Sequence, residues 1–214
     1  MSRTFLKLNL TASGKVKIPL SRLAPMTREA MDEAHKAVYD SIVNSARGVK
    51  PKKDGSLGGP FNSYAYASPE IAKAVDNLGN AIRYSATNVS DDLQELAISM
   101  VGAQFKADFE WWAHCRLAIK NGVPADAMEA IRIGKTPDFG NSQQGKRQQA
   151  VYEFVNTYFA KSRVSDELYA KTREAVGGDS GIVELTMSMG YYCNVCALLN
   201  IFVINPPKKF FVEE

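Results

Sequence analysis

The sequence predicts an all-α protein, a bundle of seven or eight helices. Apolar residues recur at intervals of three and four through most of the chain, the spacing of one helical face. Residues that favour helix starts precede these stretches, and glycine or proline follows them. No segment alternates apolar and polar residues over the length of a strand, so we expect no substantial sheet.

The first amphipathic helix is predicted over residues 27–46, where apolar residues lie at helical intervals. The glycines, prolines and lysines of residues 47–62 predict a long loop. A Ser-Pro-Glu sequence at 68–70 opens the second helix, which runs to about Tyr84. It supplies an N-cap oxygen, a proline that needs no donor and an acid at the positive helix end.

The Ser-Asp-Asp sequence at 90–92 opens a third helix by the same chemistry. A further helix is expected over residues 109–120, with Asp108 as its cap and Asn121-Gly122 as its stop. Whether residues 90–120 form one helix or two is left open. Glycine and proline delimit the remaining predicted helices, which cover 124–134, 143–161, 165–176 and 179–204.

The composition is that of a globular protein with one domain over residues 26–214 behind an N-terminal arm, residues 1–25. Hydrophobic residues make up 45% of the 214 and charged residues 23%. The net charge of +3 is too small and dispersed for a nucleic-acid interface. No apolar run reaches the roughly 18 residues of a membrane-spanning helix. We therefore expect neither nucleic acid nor membrane as a partner.

The chain has three cysteines, a small and odd number that does not suit a secreted disulfide framework. This favours a cytoplasmic location. The alternative is mitochondrial, since the first 28 residues carry six basic residues and no acid before Glu29. No metal is expected, because the histidines and cysteines show no four-ligand spacing.

The candidate chemistry lies at Glu110 and His114. If residues 109–120 are helical, these side chains share a face four residues apart, so the carboxylate can orient the imidazole for proton transfer. Trp111 and Trp112 are bulky enough to exclude water from one side of the pair. The alternative is an ordinary solvated ion pair worth a few tenths of a kcal/mol. Glu95 adds a second carboxylate only if the chain folds back.

The residues around this pair resemble the carboxymuconolactone decarboxylase and AhpD-type alkylhydroperoxidase superfamily. The core of the resemblance is a Glu-Leu-Ala sequence at 95–97 followed by Phe-Glu-Trp-Trp-Ala-His at 109–114. The resemblance extends over about residues 20–204 and follows the longer members of that family. It includes segments at 60–62, 68–70, 78–79, 118–123, 184 and 190–192. The resemblance implies an AhpD-like helical bundle and a homo-oligomer, a trimer or a hexamer.

The AhpD pattern implies a glutamate, a Cys-x-x-Cys and a histidine, which fall here at Glu95, at Ala107 and Glu110, and at His114. Both thiols are missing, and a thiol peroxidase needs a thiolate. The decarboxylase branch implies acid-base work without a cofactor on a small carboxylated lactone or oxo-acid. There His114, oriented by Glu110, would stabilise an enolate-like anion and protonate it, and Glu95 would tune the histidine or relay the proton.

Two alternative functions stay open. Cys193 and Cys196 form a Cys-x-x-Cys within an apolar segment, either as core packing or as a second, peroxide-reducing redox pair. The second alternative is a non-catalytic oligomeric binding protein that keeps the fold but has lost the reaction. For the decarboxylase-like reading, we expect Trp111, Trp112 and Tyr191 to line the substrate pocket.

Overall fold

The computed structural model describes residues 21–86 and 88–211, and this part of the chain is helical without any strand. Its single β-bridge joins Thr27 to Ser56, and a short 3-10 turn covers Arg28–Ala30. The α-helices within the described residues are α1 (Glu33–Val43), α2 (Phe61–Tyr64), α3 (Pro69–Tyr84), α4 (Asp91–Gln104), α5 (Asp108–Lys120), α6 (Ala125–Arg132), α7 (Gln143–Lys161), α8 (Asp166–Ala175) and α9 (Asp179–Ile201). The all-α prediction is confirmed.

The structure settles the open question about residues 90–120, which form two helices. The break between α4 and α5 contains Lys106 in the left-handed conformation, with φ of 49°. The chain then turns back, and the Ala107 amide donates to the Gly102 carbonyl at 2.8 Å. As a result, α5 packs along α4 as an antiparallel neighbour.

Most helix limits match those expected from the sequence, and the N-caps explain why. Ser68, Ser142 and Ser165 each accept a hydrogen bond from the backbone amide three residues later. The first predicted helix is shorter than expected, because Asp32 is the actual N-cap of α1. The predicted loop ends in the four-residue helix α2.

Helix α4 runs through the centre of the bundle. Eleven consecutive residues, from Asp92 to Gly102, are buried because α5, α7 and α9 all pack around this helix. Glu95 is one of them, so its carboxylate is carried into the core, where it needs charged or hydrogen-bonding partners. At Gly102 the two helices come close, since a Cβ there would lie 3.1 Å from the Trp111 amide nitrogen.

A second, smaller core packs α1 and α2 against α3. A buried ion pair between Arg47 and Asp76 ties the long loop to α3: Nη1 lies 2.5 Å from the Asp76 carboxylate and Nη2 donates to the Asp76 carbonyl at 2.8 Å. Ser41 donates to the same carboxylate at 3.0 Å. These contacts hold the loop against the face of the bundle that carries Tyr191.

Helix α9 is long and apolar enough to cross a membrane by length and composition, and half of its most apolar window is buried inside the protein. Core helices of soluble proteins pass the same test, so the membrane expectation stays a prediction. Most of the predicted N-terminal arm, residues 1–20, lies outside the described residues. At its end, Arg22 donates from its backbone and side chain to the Phe202 and Ile201 carbonyls that close α9.

Gly79 tests the packing of α3 on α9. An ideal Cβ at Gly79 would lie 2.5 Å from Nη2 of Arg47 and closer still to the Tyr191 hydroxyl. We expect Gly79→Ala to lower the free energy of unfolding by roughly 1–3 kcal/mol in urea denaturation, because the stiff tyrosine and the paired arginine must move.

The matched control is Asn77→Ala, two residues earlier on the exposed side of α3. Alanine is the better helix former, so this variant should unfold with unchanged or higher stability, by up to about 1 kcal/mol. Equal effects of the two substitutions would contradict the close approach of α3 and α9.

Candidate active site

His114 lies between two carboxylates that come from different helices. Its Nδ1 is 2.7 Å from Oε2 of Glu95 on α4, and its Nε2 is 3.0 Å from Oε1 of Glu110, one turn earlier on α5. The imidazole side chain is 13% exposed, and the two carboxylates are almost fully buried. The α4-α5 turn therefore assembles all three predicted acid-base residues.

Glu95 is held by a second cation on its other side. Nη2 of Arg83, from the last turn of α3, lies 2.5 Å from Oε1 of Glu95. Nη1 of the same guanidinium donates to the side chain of Gln94 at 3.3 Å, and Gln94 in turn donates to the Ile82 carbonyl at 2.8 Å. Arg83 and His114 thus clamp the Glu95 carboxylate from both sides.

Glu110 is placed differently from Glu95. Its Oε1 is buried close to Nε2 of His114, but the contact lacks hydrogen-bond geometry, and this oxygen has no hydrogen-bond partner within the described residues. A buried acceptor without a partner is uncommon in native structures. Glu110 therefore offers spare accepting capacity beside the one imidazole nitrogen that Glu95 does not engage.

The two carboxylates set the protonation state of His114. Burial works to lower the pKa of the imidazole, but the charges and hydrogen-bonding capacity of Glu110 and Glu95 outweigh burial and raise the pKa from 6.5 to about 9. Burial likewise works to raise the pKa of Glu95, and its contacts with His114 and Arg83 keep it below the ordinary value. At neutral pH the site holds an imidazolium beside ionised Glu95.

One tyrosine of α9 contacts the imidazole, and a second tyrosine packs against the first. The Tyr192 ring meets His114 edge-on at 5.1 Å between ring centroids, and Tyr191 meets Tyr192 in the same way at 5.1 Å. The Tyr191 hydroxyl lies 3.3 Å from that of Tyr64 on α2. Burial raises the pKa of all three tyrosines, so their hydroxyls stay protonated at neutral pH.

The tryptophans beside the pair in sequence occupy other positions in space. Trp111 is buried in the core, with its ring against Phe211 of the C-terminal segment at 5.7 Å. Trp112 is two residues from both Glu110 and His114, about 200° around the helix, so it lies on the other side of α5. There it packs against Phe109 and under the Arg116 guanidinium, 4.1 Å from its ring. The aromatic side chain in contact with His114 is Tyr192.

The cysteines are all unbonded thiols in the described part of the chain. Cys196 is fully buried and Cys193 partly so, and burial raises the pKa of both thiols. Burial also raises the pKa of Cys115 to about 11. A protonated, buried thiol is a poor nucleophile, which gives the peroxide-reducing alternative no electrostatic support.

Two other features bear on ligands. Residues 21–86 and 88–211 contain no group of three or more His, Cys, Asp or Glu side chains arranged to hold a metal ion. A shallow pocket between α1 and α2 has Met31, His35, Val38, Tyr39, Ile42, Leu57, Phe61, Tyr64 and Ala65 as its walls. Glu95, Glu110 and His114 do not line it.

Comparisons with known proteins return no match, either to a protein-family model or to a curated protein. The function is therefore inferred from the site itself and from the sequence resemblance. Arg83 belongs to the site although no sequence pattern links it to Glu95. Its position beside Glu95 depends on how α3 packs, and no local pattern encodes that.

The raised pKa of His114 predicts how the free energy of unfolding depends on pH. The folded chain holds this proton more tightly than an ordinary histidine, so the stabilisation is complete below pH 6.5 and is lost as the pH rises through about 9. In urea denaturation, the unsubstituted chain should lose on the order of 3 kcal/mol of unfolding free energy across that interval because of this residue. The His114→Gln variant should not show this loss.

His35 is the matched control, because it also contacts a carboxylate, with Nδ1 2.9 Å from Asp32. The His35→Gln variant should keep the His114 contribution to the pH dependence. If His114→Gln and the unsubstituted chain lost stability in parallel between pH 6.5 and 9, the two carboxylates would not raise the pKa of His114, and this explanation would be wrong.

Proposed function

We propose that this chain is an acid-base enzyme of the carboxymuconolactone decarboxylase type, which releases carbon dioxide from a small carboxylated lactone or oxo-acid without a cofactor. The supporting observation is His114 between two buried carboxylates, with Glu95 hydrogen-bonded at Nδ1 and Oε1 of Glu110, 3.0 Å away, beside Nε2. The same convergence of Glu95, Glu110 and His114 supports the family resemblance.

The proposed reaction begins with cleavage of the bond between the carboxylate and a carbon conjugated to a carbonyl. Carbon dioxide leaves, and the bonding electron pair passes into the conjugated system as an enolate. The negative charge moves from the carboxylate towards the carbonyl oxygen, so a fixed cation beside that oxygen stabilises the transition state more than the substrate. His114 supplies that cation.

Protonation of the enolate carbon completes the reaction. The imidazolium of His114 transfers the proton from Nε2, the nitrogen that Glu95 does not hold. The neutral imidazole then regains a proton from water, so atoms and charge balance over the cycle. Oε1 of Glu110, buried and 3.0 Å from Nε2, favours return of the proton to that nitrogen.

Arg83 and Glu95 keep the histidine in this role. With Arg83 against its other oxygen, Glu95 stays ionised and does not take the proton itself. The imidazole ring is consequently held in one orientation, with Nδ1 as the anchored nitrogen. A fixed orientation of the proton donor is worth several kcal/mol in catalysis because no reorganisation is needed during the reaction.

Turnover of carboxylated lactones tests this function. We expect the purified chain to release carbon dioxide from carboxymuconolactone or from one of a panel of carboxylated butenolides and 3-oxo acids. The His114→Gln variant should lose about 10²- to 10⁴-fold in kcat, the usual contribution of a positioned proton donor. His35→Gln should match the unsubstituted chain. Full turnover by His114→Gln, or none by the unsubstituted chain on the whole panel, would contradict the proposal.

The pH profile of kcat separates a tuned histidine from a merely structural one. Because the protonated imidazole is the active form, kcat should fall as the pH rises past about 9. Glu95→Gln removes one of the two carboxylates that raise this pKa, so the fall should begin at a lower pH. A profile with the same alkaline limb in both proteins would show that Glu95 does not tune His114.

A further inference from the structure

Helix α9 has a line of exposed residues along its whole length, on the side away from the core. The large members are Val183, Met187 and Ile201, with exposed fractions of 51%, 57% and 56%. Between them lie three smaller exposed residues. The complete line, which we term the α9 seam, is Val183, Met187, Gly190, Asn194, Ala197 and Ile201.

The spacing of the α9 seam is that of a helix-helix contact. Its members are separated by four, three, four, three and four residues, which is the 3.5-residue repeat of the a and d positions in coiled coils. A flat or irregular partner does not require this repeat, whereas a second helix packs its side chains into the holes that it creates. The seam therefore fits a helix.

The lack of charge along the α9 seam indicates which helix packs against it. No residue of α9 after Glu184 is charged, so five of the six seam positions lie in an uncharged stretch of 17 residues. A seam of this kind meets an identical seam without like-charge repulsion. The exposed side chains of Val183, Met187 and Ile201 also gain by leaving water. Both properties favour a second copy of this chain as the occupant.

We infer that α9 pairs with α9 of a second copy, antiparallel about a two-fold axis at the level of residue 192. The order of the spacings reads the same from either end, so each seam position faces another seam position of the partner copy. Val183 then faces position 201, Met187 faces position 197, and Gly190 faces position 194.

Size complementarity supports the antiparallel register over the parallel one. In the antiparallel pair, the long Met187 side chain faces an alanine and the Asn194 side chain faces a glycine, so a larger residue meets a small one at these levels, while Val183 faces an isoleucine at the ends. In a parallel pair, methionine faces methionine and glycine faces glycine, which leaves crowding at one level and a gap at another. Antiparallel helices also place opposite ends of their dipoles side by side.

This interface goes beyond the proposed reaction and does not depend on it. The seam lies on the opposite side of α9 from Tyr192, which contacts His114, so the pairing buries the outer face of the helix that forms one wall of the candidate site. It also creates an isologous contact, the usual building unit of closed homo-oligomers.

Disulfide trapping tests the register. In a background with Cys115→Ser and Cys193→Ser, two tagged chains carrying Gly190→Cys and Asn194→Cys are co-expressed and oxidised. We expect a disulfide-linked dimer of the two different chains, because these positions face each other across the axis. Each variant expressed alone should cross-link much more slowly. Faster cross-linking of each variant to itself, or no cross-link in any combination, would overturn the antiparallel pairing.

Light scattering after size exclusion tests the surface. The unsubstituted chain should have at least twice the 23.5 kDa mass of one chain, and Met187→Glu should halve the observed mass by placing a charge within the apolar seam. The matched control is Ile133→Glu, at the end of α6, which substitutes an apolar residue 46% exposed outside the seam. A monomeric unsubstituted chain, or equal masses for the two variants and the unsubstituted chain, would contradict the inference.

Discussion

A carboxylate inside a helical core is stable only when cations or donors replace the water that it loses, and Glu95 imposes this requirement here. The residue sits among eleven consecutive buried positions of α4. Arg83 and His114 meet its two oxygens from opposite sides. The positions of α3 and α5 against α4 are therefore coupled to a single buried charge, and so is the protonation state of the histidine.

The rest of the site follows from this clamp. The turn at Lys106 and the close approach at Gly102 bring α5 back along α4, which sets His114 beside Glu95. The helical repeat then places Glu110 at the second imidazole nitrogen. Tyr192 of α9 covers the ring, and a low-dielectric environment strengthens each of these charge interactions. An imidazolium with one anchored and one available nitrogen is suited to proton transfer.

The sequence predicted what depends on local chemistry. Serine caps and glycine or proline stops gave most helix limits, and the four-residue spacing placed Glu110 and His114 on one face. Tertiary pairing was harder to predict. The break at Lys106 was not predictable from the sequence. The residue in the left-handed conformation is a lysine, not the glycine that usually marks such a position. Trp112 is adjacent to the pair in sequence but rotated to the other side of α5, and the partner of Glu95 on α3 has no local signal.

The proposed chemistry depends most directly on the charge of His114. Nitrogen-15 NMR of the imidazole as a function of pH reports the pKa of this residue separately from that of His35, once His35→Gln assigns the two signals. The two carboxylates predict a His114 pKa of about 9, with the ring still protonated at neutral pH. A pKa at or below the ordinary 6.5 would show that burial outweighs Glu95 and Glu110, and would contradict the cationic site.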